Sequence, residues 1–218
     1  MDNLSIKTPQ PFFSIVIATY NRANLVKRAL KSLISQTETD WEAIIINDGS
    51  TDNTYEQILP YIKDYAKIRY VRKVHSGVVQ SKNKGINLSN GKYISFLDSD
   101  DEYSSNHLKT RKQILLDNPT VKFLYGGVEI IGNQYVPDRF DYSKKIHLSK
   151  CVIGGTFFIE RQSLISLNGF SEVPIGTDAV LFERAKDAKI KMMETNLPSY
   201  IYNRTSKDSI TNRMLLSV

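Results

Sequence analysis

The sequence contains little cysteine and no long hydrophobic run. Its 218 residues include one cysteine, Cys151, which excludes an internal disulfide and any metal site built from several cysteines. The neighbouring Val152 and Ile153 predict a strand, so we interpret Cys151 as a small buried hydrophobic residue rather than a nucleophile. The longest apolar runs, of which residues 12–18 are one, fall far short of the roughly 20 residues that span a bilayer. This pattern argues against a membrane-embedded chain.

The N-terminus lacks the features of a secretion signal. Residues 1–5 have neither a basic nor an apolar segment, so we expect a cytoplasmic protein. The formal net charge of +6 suits nucleic acid, an anionic membrane surface or a phosphate-bearing small molecule. The basic residues are scattered, so a solvated basic face and peripheral association with the inner face of the membrane stay equally open. A groove-reading motif or aromatic–basic stripe is absent, so nucleic acid is not an expected partner.

The first 120 residues alternate between predicted strands and predicted helices. This alternation predicts an α/β fold with a mainly parallel central sheet flanked by helices. The apolar patterns place strands at 12–18, 41–46, 68–71 and 93–97, and helices at 25–34, 50–62, 78–88 and 105–116. Beyond them the patterns predict strands at 121–131 and 152–159, a surface loop in the 140s, and helices at 161–167 and 177–189.

Polar turns follow three of the predicted strands. Because parallel α/β sheets bind ligands at the carboxyl ends of their strands, Asn21, Asp48 and the acidic run from Asp98 should lie close together. Alternate residues of an extended chain point the same way, so Asp98 and Asp100 can converge on one cation. Magnesium and manganese prefer such oxygen ligands. The alternative, an acidic helix N-terminus, explains Asp101 well and Asp98 poorly.

Five ordered segments resemble the family 2 glycosyltransferases with the GT-A fold, a Rossmann-like nucleotide-diphospho-sugar transferase fold. They are residues 13–22, 32–37, 45–54, 82–86 and 91–101. The match is close over residues 12–103 and continues more loosely to about residue 210.

The resemblance implies a single catalytic domain. It would consist of a nucleotide-binding half and an acceptor-binding half, with a flexible leader before it and a short tail after it. The expected ranges are 1–11 for the leader, 12–120 and 121–212 for the two halves of the domain over 12–212, and 213–218 for the tail.

The resemblance also implies which residues bind the nucleotide sugar. Tyr20 would stack on the base, with a packed core tyrosine as the alternative, and Asp48 would accept a hydrogen bond from a ring N–H of the base. Asp100 would coordinate a divalent metal, Mn²⁺ or Mg²⁺. The other implied donor-binding residues are Ala18 and Asn21 in the base pocket, Asp98 and Ser99 at the ribose region, Lys82 near the phosphates, Gly154 and Gly155 beside the sugar, and Arg204 over the phosphates. Relatives often carry a histidine near Arg204, where this chain has Thr205.

Catalysis is assigned by the same resemblance to Asp178, which would act as the general base. The implied reaction is inverting, metal-dependent transfer from a nucleotide-diphosphate sugar, with UDP the expected nucleotide, to a hydroxyl of a saccharide or lipid-linked acceptor. Cell-surface polysaccharide biosynthesis is the expected setting. For Asp178 a first-turn helix aspartate is the alternative, and for Lys82 a solvated helix lysine is equally open. At the level of the whole chain, a noncatalytic nucleotide-sugar-binding or partner-binding module is the main alternative, ahead of a sugar nucleotidyltransferase.

Overall fold

The first half of the chain forms the alternating strands and helices that its sequence predicts. A computed structural model describes residues 10–205. β1 and β2 are buried along almost their whole length, because helices cover both faces of the sheet. The elements are β1 (Phe13–Thr19), α1 (Ala23–Ile34), β2 (Trp41–Asn47), α2 (Thr54–Asp64), β3 (Ile68–Arg72), α3 (Val78–Leu88), β4 (Tyr93–Phe96), β5 (Glu102–Tyr103) and α4 (His107–Asp117).

The second half departs from prediction at two glycine-containing segments. The strand expected over 121–131 breaks at Gly126 and Gly127, both of which adopt positive φ, a conformation that glycine accepts without strain. Its two parts enter different sheets. The elements are β6 (Phe123–Tyr125), β7 (Val128–Gly132), β8 (Tyr135–Pro137), β9 (Lys145–His147), β10 (Phe158–Glu160), α5 (Arg161–Ser166), α6 (Thr177–Asp187), β11 (Met192–Glu194) and β12 (Tyr200–Arg204).

Two further expectations for this half are wrong. Within the strand predicted over 152–159, Gly154–Thr156 form a turn of 3₁₀ helix, and only the end of the range enters β10. Cys151 is accordingly half-buried and lies outside any strand. The loop predicted for the 140s contains β9, which pairs antiparallel with β8. Residues 1–9 of the predicted leader, and 206–218, which include the predicted tail, lie outside the described residues.

The central sheet has seven strands in the order β11-β6-β10-β4-β1-β2-β3. All of them run parallel to β1 except β10, so the predicted mainly parallel sheet is confirmed. Three strands form a second sheet in the order β5-β12-β7. The carboxyl ends of β1, β2 and β4 therefore meet at one edge, where Tyr20, Asp48 and Asp98 follow them. Within residues 10–205, no helix is long and apolar enough to cross a membrane.

Two apolar layers cover the central sheet. One layer joins α1, α2 and α4 to one face, through residues that include Leu30, Ile58 and Leu108. The other joins α3, α5 and α6 to the opposite face, through Ile86, Leu164 and others. The helices are thereby fixed against the strands whose ends carry the polar turns.

Gly85 brings α3 close to β1. A Cβ at this position would overlap both methyl groups of the Val16 side chain, which is itself buried. The close approach fixes the height of α3 over the sheet, and with it the position of Lys82 one turn earlier. Helix propensity favours alanine over glycine by about 1 kcal/mol, so packing and propensity act in opposite directions here.

Replacing Gly85 with alanine should destabilise the protein. We expect Gly85→Ala to cost about 1–3 kcal/mol of unfolding free energy through overpacking, outweighing the gain in propensity. Asn87→Ala, at an exposed position of the same helix, is the matched control and should be neutral or stabilising. Chemical denaturation measures both. The cost of Gly85→Ala should shrink in a Val16→Ala background, and an undiminished cost there would contradict the packing account.

Candidate functional site

Asp48 is buried at the carboxyl end of β2 and accepts several hydrogen bonds. Its Oδ1 accepts from the backbone N–H of Ser76 at 3.0 Å and its Oδ2 from that of Gly77 at 2.8 Å, while the Lys73 ammonium pairs with Oδ1. Burial alone would raise the pKa of Asp48, but these donors outweigh it and hold the pKa below its usual value. Asp48 is therefore a carboxylate that organises the loop after β3.

Tyr20 lies beside Asp48 and is not a core residue. The residue is 41% exposed, which excludes the alternative of a packed core tyrosine. One face stacks on the imidazole of His75, with ring centroids 4.0 Å apart and an angle of 21° between the planes. Ala18, two residues earlier, is half-buried near the end of β1. An aromatic surface of this kind can stack on a base, which is the role that the family resemblance implies for Tyr20.

Asn21 joins the turns that follow β1 and β2. It adopts a φ of 50°, a left-handed conformation that asparagine tolerates better than most residues. Its Oδ1 accepts from the N–H of Thr51 at 2.8 Å, and its own N–H donates to the Ser50 hydroxyl at 2.9 Å. These contacts position Tyr20, so the structure gives Asn21 a role in shaping the turn. Its predicted place in the base pocket stays a prediction.

Lys82 and Asp98 form a partly buried ion pair at the carboxyl end of β4. The Lys82 ammonium lies 2.9 Å from Asp98 Oδ1, and its side chain is 9% exposed. Burial opposes the charged form, but Asp98, Asp178 and Asp101 outweigh it and raise the pKa of Lys82 above its usual value. The equally open alternative of a solvated helix lysine is therefore wrong. Lys82 is a buried cation between the acidic turn and α6.

The acidic turn after β4 holds three of the predicted residues. Ser99 is buried and Asp100 half-buried, and the Asp100 carbonyl accepts from Arg28 at 2.6 Å. Burial and then the neighbouring Asp98 carboxylate raise the pKa of Asp100, against the opposing effects of Arg22 and Lys82. Repulsion between two nearby carboxylates is relieved by a cation.

Asp101 has a structural role. It is fully buried; its Oδ2 accepts from the Tyr200 hydroxyl at 2.6 Å and its Oδ1 from the N–H of Asn203 at 2.8 Å. The acidic turn is thereby attached to β12. Gly155 completes this arrangement, because a Cβ there would collide with the Tyr200 ring. Gly155 thus contacts Tyr200, which in turn contacts the acidic turn at Asp101. The predicted contact of Gly155 with the sugar stays a prediction.

Asp178 lies in the first turn of α6 and faces the acidic turn. Its Oδ2 accepts from the backbone N–H of Gly154 at 2.9 Å, and a Cβ on Gly154 would overlap the carboxylate. Burial raises the pKa of Asp178 and the Asp98 carboxylate adds to the rise, whereas Lys82 and the Gly154 N–H oppose it; the net direction is upward. A carboxylate with a raised pKa is better matched to accepting a proton near neutral pH.

The guanidinium of Arg204 donates hydrogen bonds to residues of β8 and β12. The residue is buried, and its guanidinium donates to the Tyr135 carbonyl at 3.1 Å and to the Tyr202 hydroxyl at 3.3 Å. Tyr135 belongs to β8 and Tyr202 to β12. These contacts attach the second sheet to the β8–β9 hairpin and give no support to the predicted place over the phosphates. Residues after Thr205 lie outside the described residues.

The side chains present fit a divalent metal that arrives with a diphosphate. Within residues 10–205, no group of three or more His, Cys, Asp and Glu residues could hold an ion by itself. Magnesium commonly uses one or two protein carboxylates and takes its other ligands from substrate phosphates and water. Asp100, with Asp98 beside it, supplies such a donor set.

Sequence reasoning missed two residues of this site, Lys73 and His75. Both follow β3, at the same edge of the sheet as the other polar turns, and both contact Asp48. The rule that ligands bind at the carboxyl ends of parallel strands applies equally to this turn. Applying it to the third strand would have found them.

The family of the chain is shown by a match that covers most of it. The family model described as "Glycosyl transferase family 2" matches residues 14–166. This chain belongs to glycosyl transferase family 2. The match includes all of β1 to β4 except Phe13, with Tyr20, Asp48 and the acidic turn, and ends before Asp178.

Two curated relatives are bacterial glucosyltransferases. The chain is 30% identical over 162 residues, 72% of its length and 62% of the relative's, to the UDP-Glc:alpha-D-GlcNAc-diphosphoundecaprenol beta-1,3-glucosyltransferase WfgD of Escherichia coli. It is 28% identical over 212 residues, 92% of its length and 67% of the relative's, to the GalNAc(5)-diNAcBac-PP-undecaprenol beta-1,3-glucosyltransferase of Campylobacter jejuni. The chain thus spans about two thirds of these relatives.

Solved structures confirm the GT-A fold. The chain resembles residues 1–349 of S. aureus TarS in complex with UDP-GlcNAc, with a TM-score of 0.77, 18% identity, and coverage of 91% of this chain and 60% of that one. It also resembles the mannosyltransferase PcManGT of Pyrobaculum calidifontis in complex with GDP-Man and Mn²⁺, with a TM-score of 0.69, 18% identity, and coverage of 93% and 59%.

Removing the Tyr200 hydroxyl should destabilise the acidic turn. Tyr200→Phe leaves the buried Asp101 with one donor fewer, which should cost roughly 1–3 kcal/mol of unfolding free energy. Tyr142→Phe, which changes an exposed ring, is the control and should have no effect. Thermal unfolding compares the two variants with the native chain. A Tyr200→Phe protein as stable as the control would show that Asp101 does not depend on this hydrogen bond.

Proposed function

We propose that this chain is an inverting, metal-dependent glycosyltransferase that transfers a hexosyl or N-acetylhexosaminyl group from a nucleotide-diphosphate sugar. The observation that supports this most is the position of Asp178. A carboxylate with a raised pKa is fixed by the Gly154 N–H and faces the Lys82–Asp98 pair at the strand ends. A noncatalytic binding module has no need of such a base.

In the proposed reaction, the residues of the chain hold the donor and move one proton. Tyr20 and Asp48 bind the base, and Lys82 with Asp98 orients the ribose and diphosphate region. The Asp178 carboxylate accepts the proton of the acceptor hydroxyl while that oxygen attacks C1 of the sugar. The bond from C1 to the diphosphate oxygen breaks as the new bond forms, so the anomeric configuration is inverted. A divalent metal held by Asp100 would, when bound, neutralise charge on the departing diphosphate.

The proposed donor is a UDP-sugar and the proposed acceptor a lipid-linked saccharide at the inner face of the membrane. One relative is named for UDP-Glc and a structural neighbour contains UDP-GlcNAc. Both curated relatives are named for undecaprenol-linked acceptors. The net charge of +6 favours approach to an anionic membrane surface and to phosphates. Residues 12–120 would hold the nucleotide, and 121–212 the acceptor, beside Asp178.

Two substitutions should separate donor binding from transfer. Asp100→Ala should abolish the metal-dependent part of donor binding. Asp178→Asn, which keeps the size of the side chain, should leave donor binding intact and slow transfer by about 10²–10⁴-fold, the usual contribution of a general base. Calorimetry with UDP and Mn²⁺, and a transfer assay with undecaprenol-linked GlcNAc, measure the two effects. Near-normal turnover by Asp178→Asn would rule out Asp178 as the base.

The transfer rate should fall as the pH is lowered, and this fall should occur at a pH above the usual pKa range of an aspartate. Asp178 acts deprotonated, and its pKa is raised, so activity is lost as the pH falls through that raised pKa. Because Lys82 holds the pKa down, Lys82→Met should move this acidic limb to still higher pH. The pH dependence of kcat for the native and variant chains measures the shift. A limb that stays in place in Lys82→Met would contradict the coupling between Lys82 and Asp178.

A further inference from the structure

His75 makes two interactions at once in the base pocket. Its imidazole stacks on Tyr20, with centroids 4.0 Å apart. Its Nδ1 lies 2.8 Å from Asp48 Oδ2 and 3.1 Å from the Asp48 carbonyl oxygen. Both of these oxygens are acceptors, so Nδ1 carries a proton and donates it. The imidazole is therefore a stacked aromatic ring whose N–H faces the Asp48 carboxylate.

These are the interactions that the proposed function assigns to the base of the donor. Tyr20 would stack on that base, and Asp48 would accept from its ring N–H. A base that used the Tyr20 face and the Asp48 oxygen that His75 contacts would have to displace His75. The imidazole therefore makes with Tyr20 and Asp48 the same kinds of contact that the proposed function assigns to the nucleobase.

We propose that His75 competes with the nucleobase of the donor for Tyr20 and Asp48, and so sets the affinity of the chain for its nucleotide. This inference rests on the proposed function, because it takes a nucleotide as the competitor. Under this inference, His75 lowers the affinity for the nucleotide, whereas the other residues of the pocket raise it.

The surrounding loop allows the His75 side chain to leave. That side chain is about half exposed, at 52%, and the neighbouring Val74 is 88% exposed, so neither is enclosed by surrounding side chains. Asp48 would keep its other donors, which are the Lys73 ammonium and the N–H groups of Ser76 and Gly77. Displacement of His75 therefore breaks one stack and the contacts of its Nδ1–H with two Asp48 oxygens, and leaves the rest of the loop attached.

Calorimetric titration with UDP, GDP and dTDP tests the proposal on the full chain. His75→Ala should bind its nucleotide about three- to tenfold more tightly than the native chain, because an aromatic stack no longer has to be broken. His75→Phe keeps a ring for Tyr20 but lacks the N–H for Asp48, so its gain should be smaller. Val74→Ala is the matched control from the same loop and should bind like the native chain.

Each outcome of the titration either supports or overturns the proposed competition. Tighter nucleotide binding by His75→Ala than by Val74→Ala supports competition. This holds also if the native chain and Val74→Ala bind too weakly to be detected. Equal affinity overturns the competition alone, and weaker binding by His75→Ala overturns it by making His75 a stacking partner of the base. If no chain binds any of the three nucleotides, the proposed function fails together with this inference.

Proton NMR checks the stack independently of affinity. Stacking on Tyr20 should shift the His75 ring protons upfield, and Tyr20→Leu should remove the shift. Addition of the nucleotide that binds should also remove it. Ring signals that stay shifted in the saturated complex would contradict displacement.

Discussion

The Lys82 ammonium is the charge on which the arrangement of the site depends. It reaches from α3 to the acidic turn after β4, pairs with Asp98 at 2.9 Å, and interacts with Asp178 and Asp101. Without it, several carboxylates would face one another in a poorly solvated space, where like charges repel strongly. Because α3 carries Lys82 and α6 carries Asp178, this one cation also links the two halves of the chain electrostatically.

Glycines set the distances at which these charges meet. Gly85 lets α3 approach β1, and Gly154 lets the backbone reach the Asp178 carboxylate and donate to it. Gly155 makes room for the Tyr200 ring, whose hydroxyl fixes Asp101. Each position needs the absence of a Cβ rather than unusual backbone freedom. The electrostatics of the site therefore follow from close packing of a few backbone segments against the sheet.

Local patterns predicted the first half of the fold well and the second half less well. The buried strands and amphipathic helices before residue 120 are encoded by continuous or periodic apolar residues, and the structure confirms them. After it, Gly127 is fixed by contact with Leu197, and Gly155 by contact with Tyr200. Such partners are distant in sequence, so a pattern read over a short window shows a strand where tertiary packing produces a turn.

The same division applies to the site. The topology rule for parallel sheets, with the family resemblance, placed Asp48, Asp98 and Asp178 in the site, and the structure brings Asp98 and Asp178 to the same ammonium. Whether Lys82 was buried could not be decided from α3 alone, because its burial depends on Asp98 and on residues of other segments such as Phe170. The stack of His75 on Tyr20 likewise joins two loops that no local pattern connects.

Titration of the native chain with UDP, GDP and dTDP, each with and without Mn²⁺, tests most directly that these strand ends form a metal-dependent nucleotide-sugar site. The account predicts that one of these nucleotides, UDP, binds, and that Mn²⁺ strengthens its binding. Failure of all three to bind in the presence of Mn²⁺ would contradict it and would favour a noncatalytic partner-binding module on the same fold.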